Sequence, residues 1–350
     1  MSPIKSLSIT ALSSLLLACG GGNSSGGAEG SRFSLGVSDN PADVNKVVIA
    51  FNQVVLKGVN GTSGTFSFDV ASGGQPSQVD LLSVTGSDVA PLLSNQDVPT
   101  GNYQLCIYML NDETGAANTS FVETTTSAVE GLTTNSNGSC GGTGATDPDT
   151  GRLFFNQAFT IAAGNNNFVA EFNLEQGLLS PRGSNTFWTL KPTAVQLVNT
   201  AEVGSINGTL SPTLVDDCHS DAGAAGLVAF TDKVYLYPGL ASIHGDSTAV
   251  PSVQTMVDFR DAAAVAETEL APIAAARVTP VEAGGTITGY AYGFGFVVAG
   301  NYSIGLTCTA QNDDADAVNG DTGGADTFFI SADASGISVD LNANAVRDLP

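Results

Sequence analysis

Hydrophobic positions recur every second residue along much of the chain. Phe33, Leu35 and Val37 alternate with polar or small residues, as do Phe66, Phe68 and Val70, while Phe168, Ala170, Phe172 and Leu174 stand opposite Val169, Glu171, Asn173 and Glu175. A period of two is that of a strand with one buried face. The apolar runs Val47 to Phe51 and Val54 to Leu56 break this alternation around Asn52-Gln53, which predicts either a bulge or a strand buried on both faces. Clusters of Gly, Asn, Ser, Thr and Asp, such as 135–146, read as loops, and Leu81 to Leu93 is too short and broken to predict a helix. Past Thr200 the alternation resumes at Ile206 and Leu210, then Val234 and Leu236, then Tyr290, Tyr292, Phe294 and Phe296, with Ala291, Gly293 and Gly295 on the other face. Aromatics in a row on one strand face serve either as a ligand platform or as core against a facing sheet. Ala262 to Ala276 has the composition of a helix, although Pro272 interrupts it.

These elements predict an all-β chain of two consecutive β-sandwich-like domains. A chain of 350 residues exceeds the usual size of one domain. The expected division is a signal segment 1–18, a tether 19–30, a first β-rich domain 31–199 and a second domain 200–350. The tether, GGGNSSGGAEG after Cys19, has almost nothing to bury and suits a random coil.

The start of the chain carries an address. One early cation, Lys5, precedes an apolar run from Leu7 to Ala18 that is too short to span a bilayer and ends in Leu16-Leu17-Ala18-Cys19. This resembles the lipobox of bacterial lipoproteins. The resemblance implies cleavage before Cys19, a lipidated cysteine, and a lipid bilayer as partner through the acyl chains. Gly20 stands where an Asp would commonly mark inner-membrane retention, so the expected destination is the outer membrane, on either face.

Charge narrows the partners. Lys and Arg number 11 against 34 Asp and Glu, a net charge of −23. Such a field repels nucleic acid and attracts divalent cations. Beyond Cys19 there are four cysteines, Cys106, Cys140, Cys218 and Cys308, an even count in a chain expected to be exported. Pairing within each half is the simplest of three connectivities, Cys106 with Cys140 and Cys218 with Cys308. No Cys-x-x-Cys pair suggests zinc or thioredoxin-like chemistry.

Two resemblances add to this. SLGVSDNPADVNKVVIAFNQVVLKG (34–58), QVDLLSVTG (78–86), PTGNYQLCIYML (99–110) and WTLKPTAVQLV (188–198) resemble the domain-of-unknown-function family 4382. The cues are Asp39 and Pro41 after the first strand, the Val79 to Leu82 run, and Gly-x-Tyr before a long strand. The family's members occur largely in bacterial lipoproteins, so the resemblance implies an extracytoplasmic β-rich domain and no established reaction. Gly101-Asn102-Tyr103 and Gly300-Asn301-Tyr302 each lead into a strand carrying a cysteine. With TGYAYGFGFVVAGNYSI (288–304) in the second half, this is similar to the corner of transthyretin-like sandwiches such as carboxypeptidase regulatory-like domains.

Candidate chemistry is sparse, and no catalytic set is expected. The two histidines, His219 and His244, lie outside any His-Glu-x-x-His or Gly-x-Ser-x-Gly pattern and read as loop and turn residues. Abundant acids could supply a glycosidase pair, whereas Trp188 is the lone tryptophan available as a sugar platform. The acidic loops carry the one metal-like constellation, Asp216 and Asp217 before Cys218 with Asp313, Asp314 and Asp316 after Cys308. A Cys218–Cys308 bond would gather them, and Ca²⁺ is the cation such oxygens would hold. The expected role is non-catalytic binding or structure in the cell envelope, with an envelope protein or a glycan as partner. The alternative is a glycan-binding module or a carbohydrate-active hydrolase. A cleft gathering perturbed carboxylates would favour the enzyme, and exposed aromatics on a flat sheet the glycan module.

Overall fold

In the computed structural model the described residues are 30–40, 42–71, 73–136, 140, 149–249, 251–259, 265–313 and 328–350. Alternation becomes strand wherever it is strict. Ser31–Asn40 pairs in parallel with Gly164–Asn173, so that Phe33, Leu35 and Val37 share a face with Phe168, Ala170 and Phe172. Ala90–Asp97 and Val195–Asn199 flank this pair as edge strands of a four-stranded sheet. Its apolar face packs on a larger sheet centred on Lys46–Val59 and Gly101–Leu110, where Val47, Ile49, Val54, Leu56, Leu105 and Ile107 complete one core. The break in pattern at Asn52-Gln53 has both predicted causes. Lys46–Val59 is one continuous strand with a register shift between Phe51 and Gln53, and Val47 to Phe51 is buried on both faces.

A short 3₁₀ turn, Thr200–Glu202, leads into a second pair of sheets. Val203–Leu210 and Thr286–Val298 pair antiparallel in one, and Lys233–Pro238 and Gly300–Thr307 in the other. Ile206, Leu210, Tyr292 and Phe294 of the first face Val234, Leu236, Ile304 and Leu306 of the second. Tyr292 and Phe294 are therefore core, whereas Tyr290 is half-buried. Lys233–Pro238 is covered on its other side too, by Tyr235 and Tyr237 packing with Met256, Phe259 and Ala275. The molecule is all-β, built of sandwich-like layers with two α-helices among the described residues.

Sequence expectations need correction in two stretches. Ala274–Arg277, the described end of the alanine-rich stretch, is a strand pairing with Lys233–Leu236, because burial against Tyr235 and Tyr237 favours small residues in extended backbone over intrinsic helix propensity. The other correction concerns Asp216 and Asp217. They lie not in a loop but on the helix Pro212–Ala224, which Ser211 caps through its hydroxyl to Leu214 N at 3.2 Å with Pro212 in the first turn. Val215, Cys218 and Ala222 form the buried face of this helix.

Cys106 and Cys140 are joined with Cα atoms 6.4 Å apart, and Cys218 and Cys308 with Cα atoms 6.1 Å apart. The second bond ties the helix to the end of Gly300–Thr307. Non-reducing peptide mapping is expected to recover these two linked pairs, and a peptide joining Cys106 to Cys308 would contradict the arrangement. The two Gly-Asn-Tyr corners also share a structure. Tyr103 donates its hydroxyl to Pro99 O at 2.8 Å, and Tyr302 to Val298 O at 2.7 Å, each four residues back.

Candidate functional site

The polar face of the first four-stranded sheet does not meet solvent everywhere, because the second sandwich docks against it. Backbone meets backbone at Gly295. A Cβ on Gly295 would lie 2.1 Å from Gly86 O, so no larger residue fits there without moving the Gly86 loop. Around this contact Asn173 Nδ2 donates to Ile273 O at 2.9 Å, Arg277 Nη2 to Ala42 O at 3.4 Å, and Thr231 Oγ1 to Asp43 Oδ2 at 3.3 Å.

The docking also buries charge. Glu175, just past Gly164–Asn173, pairs with Lys233 at the start of the central strand of the second half, with 8% and 2% of their side chains exposed. Asp39 continues the Phe33-Leu35-Val37 alternation to the end of the core and is 1% exposed. Burial, then the neighbouring Glu175 and Glu171, push its carboxyl well above the usual range, with Lys233 opposing. Asp313 is held similarly high, chiefly by burial and then by Glu175, although its Oδ2 accepts from Tyr235 OH at 2.8 Å and Phe259 N at 3.1 Å. Burial raises Glu175 as well, with Lys233 offsetting part of the effect.

Next to this cluster a cleft of about 240 Å³ opens between the halves. Its polar wall comes from the first sheet. Glu171 pairs in register with Gln196, and Asn40 lies on the neighbouring strand. Asn40 Nδ2 donates to Glu171 Oε1 at 3.2 Å, and Gln196 Nε2 to Glu171 Oε2 at 2.6 Å. Burial lifts the Glu171 carboxyl to about 7 even though both amides favour its charged form. The opposite wall comes from the end of Thr286–Val298, where a register shift opposite Gly204 to Ile206 breaks the aromatic alternation. Phe296 sits there with φ of 53°, a left-handed conformation that costs a bulky residue about 1–3 kcal/mol. The bulge takes Phe296 out of the core sequence of Tyr292 and Phe294 and leaves it half-buried, lining the cleft.

The residues singled out in the sequence are dispersed. His219 lies not in a loop but on the helix Pro212–Ala224, half-buried, with Nε2 2.7 Å from Asp232 Oδ1 and its ring stacked on Phe230 at 4.4 Å. Among the described residues no serine or cysteine is hydrogen-bonded to it. His244 lies in a bend next to the Ala241–Ser242 strand. Trp188 donates to Glu130 Oε2 at 2.7 Å within a paired strand. Asp216 and Asp217 are exposed on their helix, whereas Asp313 turns inward to Tyr235. Asp314 and Asp316 lie outside the described residues, as do Cys19 and Pro41. Among the described residues no group of three His, Cys, Asp or Glu side chains is arranged to hold a metal ion.

Sequence reasoning missed Glu171, Asn40 and Gln196. Glu171 did carry a signal, since it interrupts an otherwise apolar segment between Val169 and Phe172.

Comparison with known proteins bears on the first half. Residues 30–192 match the family described as a domain of unknown function (DUF4382). The match runs from the first strand through Trp188–Leu190, so Asp39, Asn40, Glu171 and Glu175 fall inside it, whereas Gln196, Lys233 and Phe296 fall outside. No curated protein matches the chain. Among solved structures, the chain is similar to a candidate cell adhesion protein of Bacteroides fragilis, with 9% identity, a TM-score of 0.20, and 91% of this chain and 92% of the other covered. A leucine-rich repeat protein of Bacteroides thetaiotaomicron shares 10% identity at a TM-score of 0.17, with 92% of this chain and 26% of the other covered. At these scores neither likeness bears on fold or function.

Proposed function

We propose that this chain is an exported protein anchored in the outer membrane through acyl chains on Cys19, and that it binds a ligand without transforming it. The observation that carries the binding role is the junction cleft. One face brings Asn40, Glu171 and Gln196 together and the other brings Phe296, so polar groups and an aromatic ring converge on one concave space.

The hydrolase alternative draws on Glu171, whose carboxyl near 7 suits a general acid. Glycoside hydrolysis needs a second carboxylate across the bond, at about 5–9.5 Å. Among the described residues Glu171 is the one carboxylate lining the cleft, while Asp39 and Glu175 face the buried cluster. That imbalance favours binding.

Anchoring has its own test. Two acyl chains suffice for stable attachment, each buried methylene contributing about 0.8 kcal/mol. Cys19→Ser is expected to move the protein from the membrane to the soluble fraction or to block its processing, with loss of lipid labelling. Unchanged fractionation would refute the lipid anchor.

A further inference from the structure

The junction cleft is specific enough in its chemistry to name a class of ligand. No Lys or Arg lines it among the described residues, so an anionic ligand would find no counter-charge there in a chain of net charge −23. A cation would find Glu171, yet that carboxyl already accepts two amide hydrogen bonds and burial draws it toward the neutral acid. What the cleft offers is neutral and two-sided. Each of Asn40 and Gln196 uses one N–H on Glu171, which fixes its orientation and leaves a second N–H and a carbonyl oxygen. Gln176 adds a third amide and Phe296 an aromatic residue to the lining. Paired donors and acceptors beside an aromatic face match a ring that carries hydroxyls around its edge and C–H groups on its faces.

From this we infer that the cleft binds one neutral sugar residue, held by Asn40 and Gln196 and packed on Phe296. The volume agrees with a single ring, since about 240 Å³ falls below the roughly 300–1,000 Å³ of pockets for larger ligands. The backbone of Phe296 points the same way. A phenylalanine in the left-handed region, where glycine is the unstrained choice, marks a position whose side chain is kept despite its conformational cost. This inference rests on the proposed binding role and specifies its ligand.

The test uses the full chain in detergent micelles with glucose, galactose and N-acetylglucosamine as separate probes and putrescine as a cationic one. Ligand-observed saturation-transfer NMR reads binding, and thermal unfolding reads stability. The expected result is binding of at least one sugar, weakened tenfold or more by Phe296→Gly and by Gln196→Ala. Because glycine relieves the left-handed backbone, Phe296→Gly should unfold no earlier than wild type, which separates loss of binding from loss of fold. Sugar binding that persists in both variants would place the sugar site elsewhere and overturn the inference. Binding of putrescine alone, abolished by Glu171→Gln, would overturn the sugar and leave the cleft as a binding site. Failure of all four probes at tens of millimolar would refute both the sugar and the cleft's binding role.

Discussion

Raising the pH from about 5 to about 8 is expected to destabilise the folded chain, by about 2.5 kcal/mol through Glu171 alone. The sign follows from burial. A carboxyl whose folded value exceeds its unfolded value holds its proton longer in the native state. Its contribution is complete below the unfolded value and is lost as pH rises through the folded one. For Glu171 that window runs from 4.5 to about 7. Asp39 and Asp313, raised well above 3.8 by burial and by neighbouring glutamates, act in the same direction. The exposed Asp246 and Asp348 have the opposite sign. Hydrogen bonds from Thr248 and from Thr209, respectively, lower their carboxyls, so they bear on stability below about pH 4. Urea unfolding at a series of pH values measures the slope. Glu171→Gln is the control, because its amide cannot ionise, and its stability relative to wild type should rise from pH 5 to pH 8. A stability curve that rises from pH 5 to pH 8, or one that Glu171→Gln leaves unchanged, would contradict the buried-carboxyl account.

The layers were legible in the sequence because period two depends on one face alone. Phe33-Leu35-Val37 and Phe168-Ala170-Phe172 place their strands without knowledge of what they pack against. What covers the other face is a tertiary matter. Glu171 and Glu175 occupy the polar side of their segment, and in isolation that side belongs in water; docking of the second sandwich buries it and creates the junction chemistry. Asp39 was visible as a recurring cue after the first strand, but a pattern of residue types does not reveal that its carboxyl is buried beside Glu175 and Glu171. The helix at Pro212–Ala224 had a readable start in Ser211-Pro212, while its interior alternates too little to announce a buried stripe. Phe296 shares the alternation of Tyr292 and Phe294, and what separates it from them is the bulge opposite Gly204 to Ile206, which alternation alone does not reveal.

Lys233→Met is expected to loosen the docking of the two halves, because it unbalances the charge buried between them. Glu175 belongs to the first half and Lys233 to the second, and both side chains are buried. Removing the ammonium leaves Glu175 beside Asp39 and Asp313, with Arg277 as a weaker source of positive potential. Breaking a buried ion pair from one side costs about 3–5 kcal/mol, because the remaining group must stay charged without its partner or take up a proton. The expected loss is therefore largest at pH 8 and smaller at pH 5, where Glu175 can be neutral. The double variant Lys233→Met with Glu175→Leu should recover most of it, since apolar side chains of similar volume can replace a buried pair at little cost. A coupling energy above about 1 kcal/mol in this cycle would assign the interaction to the pair rather than to packing of either side chain. Limited proteolysis near Thr200–Glu202 gives an independent readout, with faster cleavage of the single variant and near wild-type cleavage of the double. A single variant that loses less than about 1 kcal/mol at pH 8 would show that the glycine contact and the flanking hydrogen bonds suffice to dock the two sandwiches.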